Sequence, residues 1–150
     1  MEASSIQRKQ AALRERLEKI PNPQERLNAL VLEYRNKQSL PAEFKTEAHR
    51  VEGCLSKLWF VAQQENGACV FRSDSDSLVV KAVAGLLCDF YSGQTPEEIV
   101  ACDPSFLKEL GITQHLTTNR RNGLTKVWES IRGFALSKMP GQVNLAELVH

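Results

Sequence analysis

A chain of 150 residues, 42% hydrophobic and 25% charged, is long enough to bury one core without disulfide or metal staples, and one domain over 1–150 is the expectation. Nineteen basic against eighteen acidic residues leave a formal charge of +1, which argues against nucleic acid, an anionic membrane surface or a polyanionic substrate as partner and leaves a protein or a small molecule. No stretch reaches the roughly 18 apolar residues of a membrane helix; the most apolar run, Leu78 to Cys88, is broken by Lys81.

The start, MEASSIQRKQAALRERLEK, lacks an apolar signal core and carries Glu2, Glu15 and Glu18, which fits neither a secretory signal nor an acid-poor transit peptide, so a cytoplasmic, reducing setting is expected. Ile6, Leu13, Leu17 and Ile20 form one helical stripe that ends at Pro21 and Pro23. Asn22 then reads as an N-cap, with Pro23 at the first helical position, Glu25 three residues after the cap, and Leu27, Leu30, Val31 and Tyr34 as the apolar face. Residues 37–53 have no period and read as a loop that delivers the chain to Gly53 and Cys54. Leu58 to Ala62 is rich in strand formers, Glu65-Asn66-Gly67 is a hairpin signal, and residues 68–72 are the return strand.

The run SDSDS at 73–77 offers N-caps, Asp74 or Asp76 foremost, for a long helix carrying Leu78, Val79, Ala82, Val83, Leu86, Leu87, Phe90 and Tyr91, with Gly93 just past its end. Thr95, Pro96 and Glu98 repeat the capping pattern for a short helix, and Asp103-Pro104 starts another that Gly111 closes. The last helix places Leu124, Val127, Trp128, Ile131 and Ala135 on one face and stops before Pro140, with a frayed tail expected over about 141–150. The sum is an α+β domain: a small antiparallel sheet, hairpin or three strands, packed with five or six helices. Trp59 and Leu86 are expected in its core.

Four cysteines, at 54, 69, 88 and 102, show no C-x-x-C pair and no zinc-like spacing to histidine. In a reducing compartment each is a buried hydrophobe or a reactive thiol. Cys88 lies beside the apolar helix face and reads as packing. Cys54 lies where a loop becomes a strand, with Lys57 near in sequence; Arg120 and Arg121 stand at a helix start, where positive charge opposes the helix dipole. Such a breach of a local rule marks a candidate functional residue. Asp74 and Asp76 are explained as caps rather than as a carboxylate pair, and His115 is a candidate base for a Cys54 hydrolase. No nucleotide-binding or serine-hydrolase motif occurs.

The segments GCLSKLW at 53–59, SDSDSLVVKAVAGLL at 73–87, YSGQTPEEI at 91–99 and TQHLTTNRRNGL at 113–124, in this order, resemble the SufE family. The resemblance runs over about residues 20–136. It implies a SufE/IscU-like α+β fold, and a protein that accepts sulfur from a pyridoxal-phosphate cysteine desulfurase and stimulates it. Gly53, Cys54, Ser56 and Trp59 match the family's acceptor pattern, so the resemblance makes Cys54 the persulfide carrier. Arg120, Asn122 and Gly123 match its second motif, which makes Arg120 the family's basic residue. Leu55, Thr118 and Arg121 depart from the usual glutamine, proline and serine.

The implied partners are the desulfurase and an iron–sulfur scaffold complex that receives the sulfur. No cofactor or metal is expected on this chain, since the pyridoxal phosphate belongs to the desulfurase. Two rivals belong to other classes. A cluster scaffold needs about four convergent ligands, which the scattered cysteines do not promise; a Cys54–His115 hydrolase would need no desulfurase.

Overall fold

Asn66 and Gly67 have φ of 51° and 82°, the left-handed pair that lets a two-residue turn follow the natural twist of its strands. Around this turn the computed structural model, which describes residues 4–37 and 40–139, pairs β1 (Leu58–Glu65) with β2 (Ala68–Ser75) in one antiparallel ladder running from Leu58↔Ser75 to Glu65↔Ala68. The sheet has two strands, not three. Its edges are met by single bridges instead, Arg50 to Trp59 on one side and Gln94 to Cys69 on the other.

Six α-helices complete the described residues: α1 (Ser5–Glu18), α2 (Pro23–Tyr34), α3 (Leu78–Tyr91), α4 (Pro96–Val100), α5 (Ser105–Glu109) and α6 (Thr118–Ser137). None is long and apolar enough to cross a membrane. The N-caps anticipated for α2 and α4 are present, Asn22 Oδ1 accepting from Gln24 N–H at 2.8 Å and Thr95 Oγ1 from Glu98 N–H at 3.2 Å, while the reciprocal bond from the Glu25 or Glu98 side chain back to the cap is not formed among the described residues. Each such bond satisfies a donor the helix would otherwise leave bare.

Helix α3 is the centre of the core. Ten of its fourteen residues are buried, from Val80 to Tyr91, at about 1.5–3 kcal/mol for each large apolar side chain taken from water. It lies on β2, with α2 and α6 against it. Gly85 lets α2 approach closely, since a Cβ there would fall 2.8 Å from the Tyr34 ring, and the Tyr34 hydroxyl donates to Asp89 at 2.6 Å. Lys9 of α1 donates to the carbonyls of Asp89, Phe90 and Ser92 at 2.8–3.1 Å, placing a cation at the negative end of α3. Phe71 stacks on Phe60 and meets Phe134 edge-on, both at 5.9 Å, tying the hairpin to α6.

Four expectations need correcting. Strand β2 continues through Ser75, so neither Asp74 nor Asp76 caps α3; Ser77 does, accepting from Val80 N–H at 3.3 Å. Asp74 is instead a buried carboxylate paired with Lys45 at 2.8 Å and Lys81 at 3.8 Å. Leu78, at the rim of its helix, is 50% exposed rather than part of the core face. Trp59 is half-buried, with the Lys45 ammonium 5.9 Å from its ring centroid, because the register pairs it with Asp74 on the face of the hairpin opposite that of Phe60, Phe71 and Ser73. The tail over 141–150 lies outside the described residues.

Candidate functional site

The segment bearing Cys54 is closed at its base. Val51 N–H donates to Leu58 O at 2.8 Å, and Lys57 is fastened to the end of β2, its N–H donating to Asp76 Oδ1 at 3.0 Å and its carbonyl accepting from Ser75 Oγ at 2.7 Å. Residues 52–57 therefore form a short loop on a rigid stem. Gly53 has φ of 83°, a left-handed turn that a side chain would strain. It carries the chain round so that Cys54 faces α6.

The thiol rests on a gap in that helix. A Cβ at Gly123 would lie 3.1 Å from Cys54 Sγ and 3.9 Å from Val80 Cγ1, so glycine and valine together make a small, largely apolar seat. Cys54 is half-buried there, while the next residue, Leu55, is 79% exposed. Burial pushes the Cys54 thiol pKa up, and the positive charges of Lys126 and then Arg50 pull against that rise. Lys126 stands one turn after Gly123 on α6, with its Cε 3.3 Å from the position a Gly53 Cβ would take.

The remaining candidates are placed as follows. Arg120 lies one turn before Gly123 on α6; its N–H donates to the cap Thr117 Oγ1 at 3.3 Å, and its exposed guanidinium makes no hydrogen bond or ion pair among the described residues. Arg121 turns back on its own helix start, donating to Leu116 O at 3.1 Å and Thr118 Oγ1 at 3.3 Å, which accounts for a cation at that helix end. His115 is exposed in a 3-10 turn, Thr113–His115, and has no hydrogen bond to Cys54.

Cys69 is buried in β2. Cys88 is buried in α3 against Ser73 Oγ at 3.4 Å, its pKa pushed up to about 12. Cys102 is half-buried beside Asp103, with its pKa also raised by burial. Among the described residues no three His, Cys, Asp or Glu side chains gather as a metal site would require.

The sequence offers Lys57, Arg120 and Arg121 as cations for the Cys54 thiolate; the charges that act on it in the structure are those of Lys126 and Arg50. The spacing of Gly123 and Lys126, three apart on one helix, was the available signal; nothing local to Cys54 announced that α6 would face it.

The domain model of the SufE family, described as an Fe–S metabolism associated domain, matches residues 11–135. The chain belongs to the SufE family. This membership ties it to Fe–S metabolism. It is 30% identical over 132 residues to an uncharacterized SufE-like protein of Synechocystis, a match covering 88% of this chain and 83% of that one. It is 33% identical over 120 residues to SufE-like protein 1, chloroplastic/mitochondrial, of Arabidopsis thaliana, covering 78% of this chain and 32% of the much longer relative. The fold recurs in the solution structure of a hypothetical protein from Thermus thermophilus, with a TM-score of 0.68 at 23% identity over 85% of this SufE-family chain and 93% of that one.

Proposed function

We propose that this SufE-family protein takes sulfur from a cysteine desulfurase onto Cys54 and passes it to iron–sulfur cluster assembly. The observation that carries the reading is the setting of Cys54: two of the four free cysteines, Cys54 and Cys102, are half-buried on connecting segments, and where the negative charge of Asp103 opposes a thiolate at Cys102, Cys54 lies at the edge of a small seat with the cations Lys126 and Arg50 beside it. Cys69 and Cys88 are buried in regular structure, beyond the reach of a second protein's sulfur.

The proposed step is a sulfur exchange. The Cys54 thiolate attacks the terminal sulfur of the desulfurase's cysteine persulfide; the new S–S bond forms to Cys54 as the donor's S–S bond breaks, and the donor cysteine leaves as a thiolate. One sulfur atom moves and no external oxidant or reductant is consumed. Rate follows thiolate fraction and access, so the raised pKa slows attack while the seat shields the loaded sulfur from reductants and oxygen. Arg120, exposed one turn from Gly123, is assigned the docking side of the reaction, where a free guanidinium meets an acidic surface. Pyridoxal phosphate stays with the desulfurase.

The scaffold reading lacks a cluster of ligands around Cys54, and the hydrolase reading lacks a histidine bonded to it. In a desulfurase assay with cysteine, the wild type is expected to raise turnover, Cys54→Ser to abolish the stimulation, and Cys69→Ser to retain most of it. Stimulation that survives in Cys54→Ser, with its melting temperature unchanged, overturns the assignment.

A further inference from the structure

Two cations flank the Cys54 loop without strong partners of their own. Lys126 reaches Glu129 at 3.8 Å, with both side chains about half exposed, and Arg50 reaches Glu47 at 3.5 Å, where Glu47 is 84% exposed. Pairs of this length and exposure neutralise little charge. Both cations also line one cleft of about 300 Å³, between the segment 48–52, Phe60 and α6. The stem of Lys126 runs beside Gly53, the residue immediately before Cys54, its Cε 3.3 Å from the position a Gly53 Cβ would take. That contact brings the side chain to the Cys54 loop, where Glu129 at 3.8 Å is its one ion-pair partner among the described residues.

We infer that Lys126, assisted by Arg50, holds the negative charge on the Cys54 sulfur, as thiolate before transfer and as persulfide after it. The inference rests on the acceptor role proposed above and adds to it the residues that make an apolar seat compatible with an anion. A seat built only of Gly123 and Val80 would favour the neutral thiol, which is not the nucleophile. A cation packed at its edge restores part of the thiolate without opening the seat to water. The charged groups around the site are Lys126, Glu129 and Arg120 on α6, His49, Arg50 and Glu52 before the loop, and Lys57 and Asp76 at its stem. Glu52 and Glu129 oppose the effect. Lys126 is the cation whose stem meets the loop itself.

The test needs no desulfurase, so its outcome is separable from that of the acceptor role. The rate of Cys54 alkylation by iodoacetamide, followed by peptide mass mapping, is measured against pH for the isolated wild type, Lys126→Met, Lys126→Arg and, as a control, Arg132→Met, an exposed cation further along α6. Lys126→Met keeps the packing stem and removes the charge. Its alkylation midpoint is expected to rise by about half a pH unit, a roughly threefold loss of thiolate below the midpoint, while Lys126→Arg and Arg132→Met stay near wild type. An unchanged midpoint in Lys126→Met overturns the inference. So does an equal rise in Lys126→Met and Lys126→Arg, which would assign the effect to the shape of the stem rather than to its charge.

Discussion

A methyl group at position 123 would meet the Cys54 sulfur at 3.1 Å, a contact that one of the two must relieve. Helix α6 is held by Leu124, Val127, Ile131 and Ala135, all buried, whereas Cys54 is on a loop, so the sulfur is the part that yields. Alanine is also about 1 kcal/mol better than glycine inside a helix. Gly123→Ala is therefore expected to leave the melting temperature unchanged or slightly raised while Cys54 alkylates several-fold faster, its thiol turned out to solvent. Melting curves and alkylation rates on the same sample check this; unchanged alkylation in a stable variant would mean that the sulfur does not rest on Gly123. Arg121 illustrates how a residue that breaks a local rule finds a local answer, since its guanidinium returns to the carbonyl of Leu116.

Among the elements, α3 bears the largest share of the core, and Leu86 sits on it only 5% exposed. Leu86→Ala is expected to cost about 2–5 kcal/mol, read from urea unfolding; a change inside about 0.5 kcal/mol, typical of surface positions, would mean that this face of α3 is not packed. Helices with apolar stripes and capping residues are legible from sequence, and α2 begins where Asn22 and Pro23 place it. The hairpin turn is equally plain, because few dipeptides other than Asn-Gly accept two left-handed residues. The second strand reads short. Its end, Ser73-Asp74-Ser75, looks like a turn until Cys88 bonds Ser73 and Lys45 pairs with Asp74, contacts that exist only once α3 and the 42–49 segment have folded against it. Trp59 misleads for a related reason: which face of the hairpin is covered is decided only when α3 and α6 pack on the side of Phe60 and Phe71, and Trp59 is on the other. Of the candidate site, Cys54, Arg120 and Gly123 are legible through the resemblance, while Lys126 and Arg50 emerge only when a loop and a helix distant in sequence are brought together.

For the molecule as a whole, the hairpin, α3 and α6 form a frame that fixes three sides of the Cys54 seat: the stem through Lys57 and Asp76, the floor through Gly123, and the wall through Val80. Among the described residues the loop is hydrogen-bonded only at its ends, through Val51 and Lys57. A stable frame bearing the small Cys54 loop at its surface suits the carrier role proposed above, in which a cargo is sheltered in transit and yet reachable by donor and recipient. Exposed Leu55, the residue after Cys54, belongs to this accessible side. The most direct test of the acceptor role is the intact mass of the protein after incubation with a cysteine desulfurase and cysteine under anaerobic conditions. The expected result is a gain of one sulfur atom on the wild type, removed by dithiothreitol, mapped to the peptide containing Cys54 and absent from Cys54→Ser. A wild-type protein that gains no sulfur beside an active desulfurase, or a Cys54→Ser variant that gains as much as the wild type, would contradict it.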